Sequence, residues 1–130
     1  MKTISILDKI DRGESQVLAF DVHDVLRLLG SVVMELEWQL IGLECSGETA
    51  DSLHRLCDGA VRITGEELMR LTRPRLQTID GEYQGFRPDA SDPWIVIRAV
   101  DSSCFDVECM DPQVLNELAG KFHDVRGRGE

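Results

Sequence analysis

The chain has 130 residues and a formal net charge of −10 at neutral pH. That length suits one domain able to bury a core without disulfides or metal. The acidity disfavours binding to nucleic acid or anionic membrane, because both reward basic surfaces.

Near the N-terminus, Ile4, Leu7 and Ile10 recur every three residues, which predicts a short helix ending near Gly13. Lys2, Asp8, Lys9, Asp11 and Arg12 interrupt that stretch, so it does not read as a secretory signal. Gln16 to Phe20 fits a short strand or a loop. Asp21 fits an N-cap with Asp24 three residues on, followed by Val22, Val25, Leu26 and Leu29 at helical spacing and Gly30 at the exit.

Val32 to Cys45 gives the longest strand signal. Val32, Met34, Leu36, Trp38 and Leu40 share one face, and Val33, Glu35, Glu37, Gln39 and Ile41 the other. Gly42 marks a bulge that lets Leu43 and Cys45 rejoin the core. Thr49 to Cys57 reads as a helix with Leu53, Leu56 and Cys57 inward. Thr64 and Glu67 form a capping box ahead of Leu68 and Leu71, and Pro74 ends that helix. Leu76 to Arg87 holds either a hairpin about Ile79-Asp80-Gly81-Glu82 or one bent strand through Tyr83 and Phe86.

Trp94 to Val100 and Phe105 to Cys109 predict a hairpin. A three-residue loop, Asp101 to Ser103, sets Val107 opposite Ile97, Phe105 opposite Ala99 and Asp106 opposite Arg98. That register leaves an apolar face and an opposite-charge pair, so it is preferred over a two-residue loop. Positive φ is expected at Ser103, the third loop position. Asp111 and Pro112 then start a helix carrying Val114, Leu115, Leu118, Ala119 and Phe122 inward. The predicted class is α+β: a mostly antiparallel sheet of three to five strands with four or five helices in two layers, ending in the β-hairpin and its helix. Residues 1–125 form one domain, and residues 126–130 are expected to be a mobile tail.

No catalytic residue is assigned and no cofactor is implied. There is no nucleophile elbow and no phosphate loop; the four cysteines lack CxxC spacing, and His23, His54 and His123 are scattered, so no metal ligand set emerges. Asp51, His54 and Asp58 share one helix face, which more readily reads as a solvated face than as a ligand set. Arg70, Arg73, Arg75 and Arg87 are candidates for an anion site if the fold gathers them. If their strands neighbour one another, Glu35 and Glu37 on one strand and Asp106 and Glu108 on the hairpin outline an acidic sheet surface, with Arg98 and Gln39 inside it. Trp94, with Val96 and Arg98, is either a hot spot on that surface or ordinary core. The expected function is a cytoplasmic, non-catalytic protein-binding domain of immunity, inhibitor or adaptor type that meets a basic partner. The alternative is a small-molecule-binding or enzymatic domain at the arginines, and a strand edge of the Phe105 or Val32 segment could also pair two copies.

Overall fold

Alternation in the last third of the chain builds the middle of the sheet. In the computed structural model, which describes residues 1–73 and 75–128, β7 (Ile95–Val100) and β8 (Cys104–Cys109) pair antiparallel. Val107 lies opposite Ile97, Phe105 opposite Ala99 and Asp106 opposite Arg98, the register of the three-residue loop. Positive φ falls on Asp101 and Ser102 rather than on Ser103, and the Ser103 amide donates to the Val100 carbonyl. That geometry follows the strand twist as a type I′ turn does.

The other described elements are β1 (Lys2–Ile6), β2 (Lys9–Arg12), β3 (Ser15–Leu18), α1 (Val22–Leu29), α2 (Ser31–Glu35), β4 (Glu37–Gly47), α3 (Ala50–Gly59), β5 (Ile63–Thr64), α4 (Gly65–Thr72), β6 (Leu76–Phe86), α5 (Pro112–Ala119) and β9 (Val125–Arg128). Seven strands form one antiparallel sheet in the order β5-β4-β6-β7-β8-β1-β9, while β2 and β3 make a separate hairpin. The class is α+β, but the expected three to five strands are overturned by nine among the described residues.

Three corrections explain the difference. Ile4 and Ile6 are not helical: they alternate with Thr3 and Ser5 in β1, facing Val107 and Phe105 of β8. This pairing spans about a hundred residues of sequence, so a local three-residue spacing cannot reveal it. Asp8 then stops β1 by accepting the His123 and Asp124 amides, and Gly13 at φ +70 turns β2 into β3. At the other terminus, residues 126–128, expected in the tail, pair with β1 as part of β9; residues 129 and 130 lie outside the described residues, as does Pro74.

The third correction concerns the Val32 segment. Ser31 to Glu35 is the short helix α2, and the strand begins only at Glu37. Gly30 at φ +68 turns the chain out of α1, and the Trp38 indole N–H donates to the Val33 carbonyl, fixing that turn beneath the sheet. Glu35 therefore belongs to an exposed helix end and not to the strand face of Glu37. From Glu37 onward the pattern holds: Trp38 and Leu40 are buried, Gln39 and Ile41 lie opposite, and Gly42 sits at a bulge with φ +59. β6 is one long strand, bent at Gly81 where φ is +118.

The caps follow the sequence. Asp21 and Asp24 form a complete capping box on α1. Thr64 accepts from the Glu67 amide, but the Glu67 carboxylate turns to Arg70 instead of reaching back. Asp111 accepts from Gln113 at the start of α5. Every helix contributes buried apolar residues to one cluster with Ile6, Trp38, Leu40, Tyr83, Ile95, Ile97, Phe105 and Val107, all from one face of the sheet. Phe122, just past α5, packs at a tilt against Phe20, which in turn meets Phe105.

Candidate functional site

Because the helices share one face of the sheet, the opposite face carries no helix among the described residues. It is built from the residues alternating with the core set. Gln39, Gln84, Val96 and Glu108 form one cross-strand row, and Ile41, Glu82, Arg98, Asp106 and Ser5 the next. Val96 is buried on this face yet lies outside the core cluster, shielded by the longer side chains around it.

Arg98 is the centre of this face. Its guanidinium donates to Glu82 at 2.8 Å and to Glu108 at 3.0 Å, so one cation cross-links three strands. The cross-strand partner in register is Asp106, but a long guanidinium reaches the diagonal carboxylate more easily than the shorter aspartate directly opposite. Asp106 instead accepts the Ser5 hydroxyl at 2.6 Å and is itself buried. Burial alone would raise the Glu82 carboxyl, but donation from Arg98 and Gln84 outweighs it and holds Glu82 below its ordinary range. Burial likewise works against the Arg98 charge, and the two glutamates more than reverse this, raising Arg98.

A pH dependence follows. A depressed carboxyl stabilises the fold above its unfolded value of 4.5, and that contribution is lost as pH falls through the lower folded value. Replacing Arg98 by Met should cost roughly 1 kcal/mol at neutral pH, since the pair is partly solvated. Urea titrations should show the gap between wild type and Arg98→Met closing as pH drops below 4.5; a gap independent of pH would refute this.

At one end of the open face, the Arg62 guanidinium lies 3.8 Å over the Phe86 ring, meets Glu37 at 3.4 Å and donates to the Ala90 carbonyl at 2.9 Å. These contacts tie the loop between β6 and β7 to this end of the face. Trp94 precedes β7, is half-buried and packs against the core cluster; Arg87 lies 4.6 Å over its ring. Of the residues singled out for partner binding, Glu37, Val96, Arg98, Asp106 and Glu108 thus share one face. Trp94 and Glu35 do not. Sequence reading missed Glu82 and Ser5, because neither β6 as a single strand nor β1 as a strand was established there. The alternation of Thr3 and Ser5 with Ile4 and Ile6 was the available signal.

The arginines do not form one cluster. Arg70 pairs with Glu67, and with Arg73 it lines a shallow groove beside Met34, Met69, Glu66 and Glu67. Arg75 and Arg87 do not line that groove, and its two carboxylates match its two guanidiniums. The helix face of Asp51, His54 and Asp58 is also split. His54 meets the buried Cys45 thiol at 3.6 Å, while both aspartates are exposed. Burial pushes the Cys45 and Cys109 thiols up, which suits packing and works against thiolate chemistry. Among the described residues, no three His, Cys, Asp or Glu side chains gather as a metal ion would need, and no helix is long and apolar enough to cross a membrane. Comparison of the chain with models of protein families, with curated proteins and with solved structures finds no match.

Proposed function

We propose that this is a non-catalytic cytoplasmic binding protein, of immunity, inhibitor or adaptor type, whose open sheet face docks a basic protein. The observation that carries this reading is the one-sided placement of the helices, which leaves a wide antiparallel face of mixed polar and apolar residues facing outward. Its central charges are held in place by one another, so they form a rigid template and not a reactive set. Gln39, Ile41 and Gln84 beside them offer contacts of low desolvation cost. Glu37, Glu82 and Glu108 outnumber Arg62 and Arg98 on this face, and within a chain of net charge −10 they favour a cationic occupant by charge complementarity. The buried thiols Cys45 and Cys109 are compatible with a reducing compartment.

The reading is tested on a basic protein retained at low salt from the host's own lysate. Its association rate should fall about tenfold or more as salt is raised, because steering of this kind is screened. A rate insensitive to salt would contradict the proposal.

A further inference from the structure

A cleft of about 590 Å³ opens at the end of the sheet where β7 gives way to its turn. Its walls include Ile10 and Val17 of the β2–β3 hairpin, Phe20, Leu76 and Thr78 of β6, and Asp24. Three independent features of this cleft point to the same occupant.

The first is an open strand edge. β7 accompanies β6 only from Gly85 to Gly81, and the Ser102 amide then caps the Ile79 carbonyl. From Leu76 to Thr78, β6 therefore has β4 on one side and the cleft on the other. The Thr78 amide donates to the Asp21 carboxylate at 2.9 Å, so the backbone of Thr78 is directed away from β4. By the alternation of an antiparallel ladder, Leu76, two residues away, presents its N–H and C=O to the same side.

The second is the hairpin itself. Ile10 and Val17 are cross-strand partners, yet they are 43% and 40% exposed. They line the cleft and take no part in the core. The third is charge. Asp11 and Glu14 on the hairpin, Asp21 and Asp24 at the start of α1, and Asp80 and Asp101 beside the turn outnumber the cations of the same region, Lys9, Arg12, Arg27 and Arg75, of which Arg27 pairs with Asp24 at 3.7 Å.

We infer that this cleft receives an extended segment of the basic partner, in which lysine or arginine alternates with apolar residues. This rests on the proposed docking role. The segment lies beside Leu76 to Thr78, its apolar side chains against Ile10 and Val17 and its cations toward Asp80 and Asp101 beside the turn. Strand addition of this kind takes affinity from main-chain hydrogen bonds and specificity from alternate side-chain sites. Because Asp21 already occupies the Thr78 amide, the main-chain share is small and the side chains decide the affinity.

The test uses a synthetic probe, the peptide acetyl-Lys-Leu-Lys-Val-Lys-Leu-amide, with calorimetry and backbone amide spectra. Shifts should concentrate at Gln16 to Leu18 and at Leu76 to Thr78. Val17→Arg should weaken binding about tenfold, while Ile41→Arg, which adds the same charge on the open face, should change it less than about twofold. Both positions are exposed, and unchanged melting temperatures would confirm intact folds. Shifts confined to Gln39, Gln84 and Val96, equal losses in both variants, or no binding at all would overturn the inference. With the intact partner, wild-type affinity in Val17→Arg together with a steep salt dependence would overturn the cleft alone. A salt-insensitive rate would overturn the docking role beneath it.

Discussion

Trp38→Ala should destabilise the protein by about 3–5 kcal/mol, which for a domain of this size lowers the melting temperature by roughly 10–20 °C. Trp38 is completely buried, and its indole N–H is the hydrogen bond that holds α2 to the start of β4. Its ring occupies a slot that exists because Gly85, its cross-strand partner, has no side chain. A Cβ at Gly85 would stand 3.0 Å from the Trp38 ring and 2.8 Å from Ile95. Truncating Trp38 opens a cavity that the rigid sheet cannot collapse into and leaves the Val33 carbonyl with only the 3.4 Å bond from the Leu36 amide. Natural domains hold only about 5–15 kcal/mol in all, so the variant should be near the limit of folding at 37 °C. Thermal unfolding measures this directly, and a loss under 1 kcal/mol would show that the indole does not pin α2.

Asp21→Ala should cost about 2–4 kcal/mol at neutral pH. Asp21 caps α1 by accepting the Val22 amide, a role worth about 1 kcal/mol. It also accepts both the amide and the hydroxyl of Thr78, and the Thr78 hydroxyl meets the buried Tyr83 hydroxyl at 2.8 Å. Removing the carboxylate leaves the Thr78 amide without its acceptor and the Thr78 hydroxyl with Tyr83 alone, at about 1–3 kcal/mol. Burial raises the Asp21 carboxyl above its usual value of 3.8, against the lowering effect of the Thr78 and Val22 donors. A raised carboxyl contributes fully below 3.8, and part of that contribution is lost as pH rises through the folded value. The gap between wild type and Asp21→Ala should therefore narrow with rising pH across that window, opposite in sign to the Arg98→Met gap. A gap that widens would contradict the assignment.

Legibility in the sequence followed the range of the interactions. The β7–β8 register could be read because a single slip would have placed Glu108 opposite Ile97. The caps at Asp21, Thr64 and Asp111 could be read because a cap is a contact over two or three residues. β1 and β9 could not, since neither has a buried face until β8 and the other strand flank it. The three-residue recurrence of Ile4, Leu7 and Ile10 arose from a strand ending at Ile6 and a separate hairpin strand beginning at Lys9. Val32 to Glu35 misled for the opposite reason: its alternation was real, but five residues after a Gly30 turn were enough to close one helical turn against Trp38. The open face was half legible. Val96, Arg98, Asp106 and Glu108 share a face through the hairpin register, but Glu37 joins them only across β6 and β7 and not by direct pairing of its strand with β8, the arrangement expected from the sequence; Glu82 depended on β6 being one strand, which Asp80-Gly81 obscured locally. Trp94 was undecided because the strand begins only at Ile95.

The central claim is that the helix-free face of the sheet is the docking surface. Amide hydrogen exchange on the complex with the salt-eluted basic partner tests it most directly. The account predicts slowed exchange in β4, β6 and β7 around Gln39, Ile41, Gln84 and Val96, with α4 and α5 unchanged. Protection confined to the helices, with those strand amides exchanging as in the free protein, would contradict it.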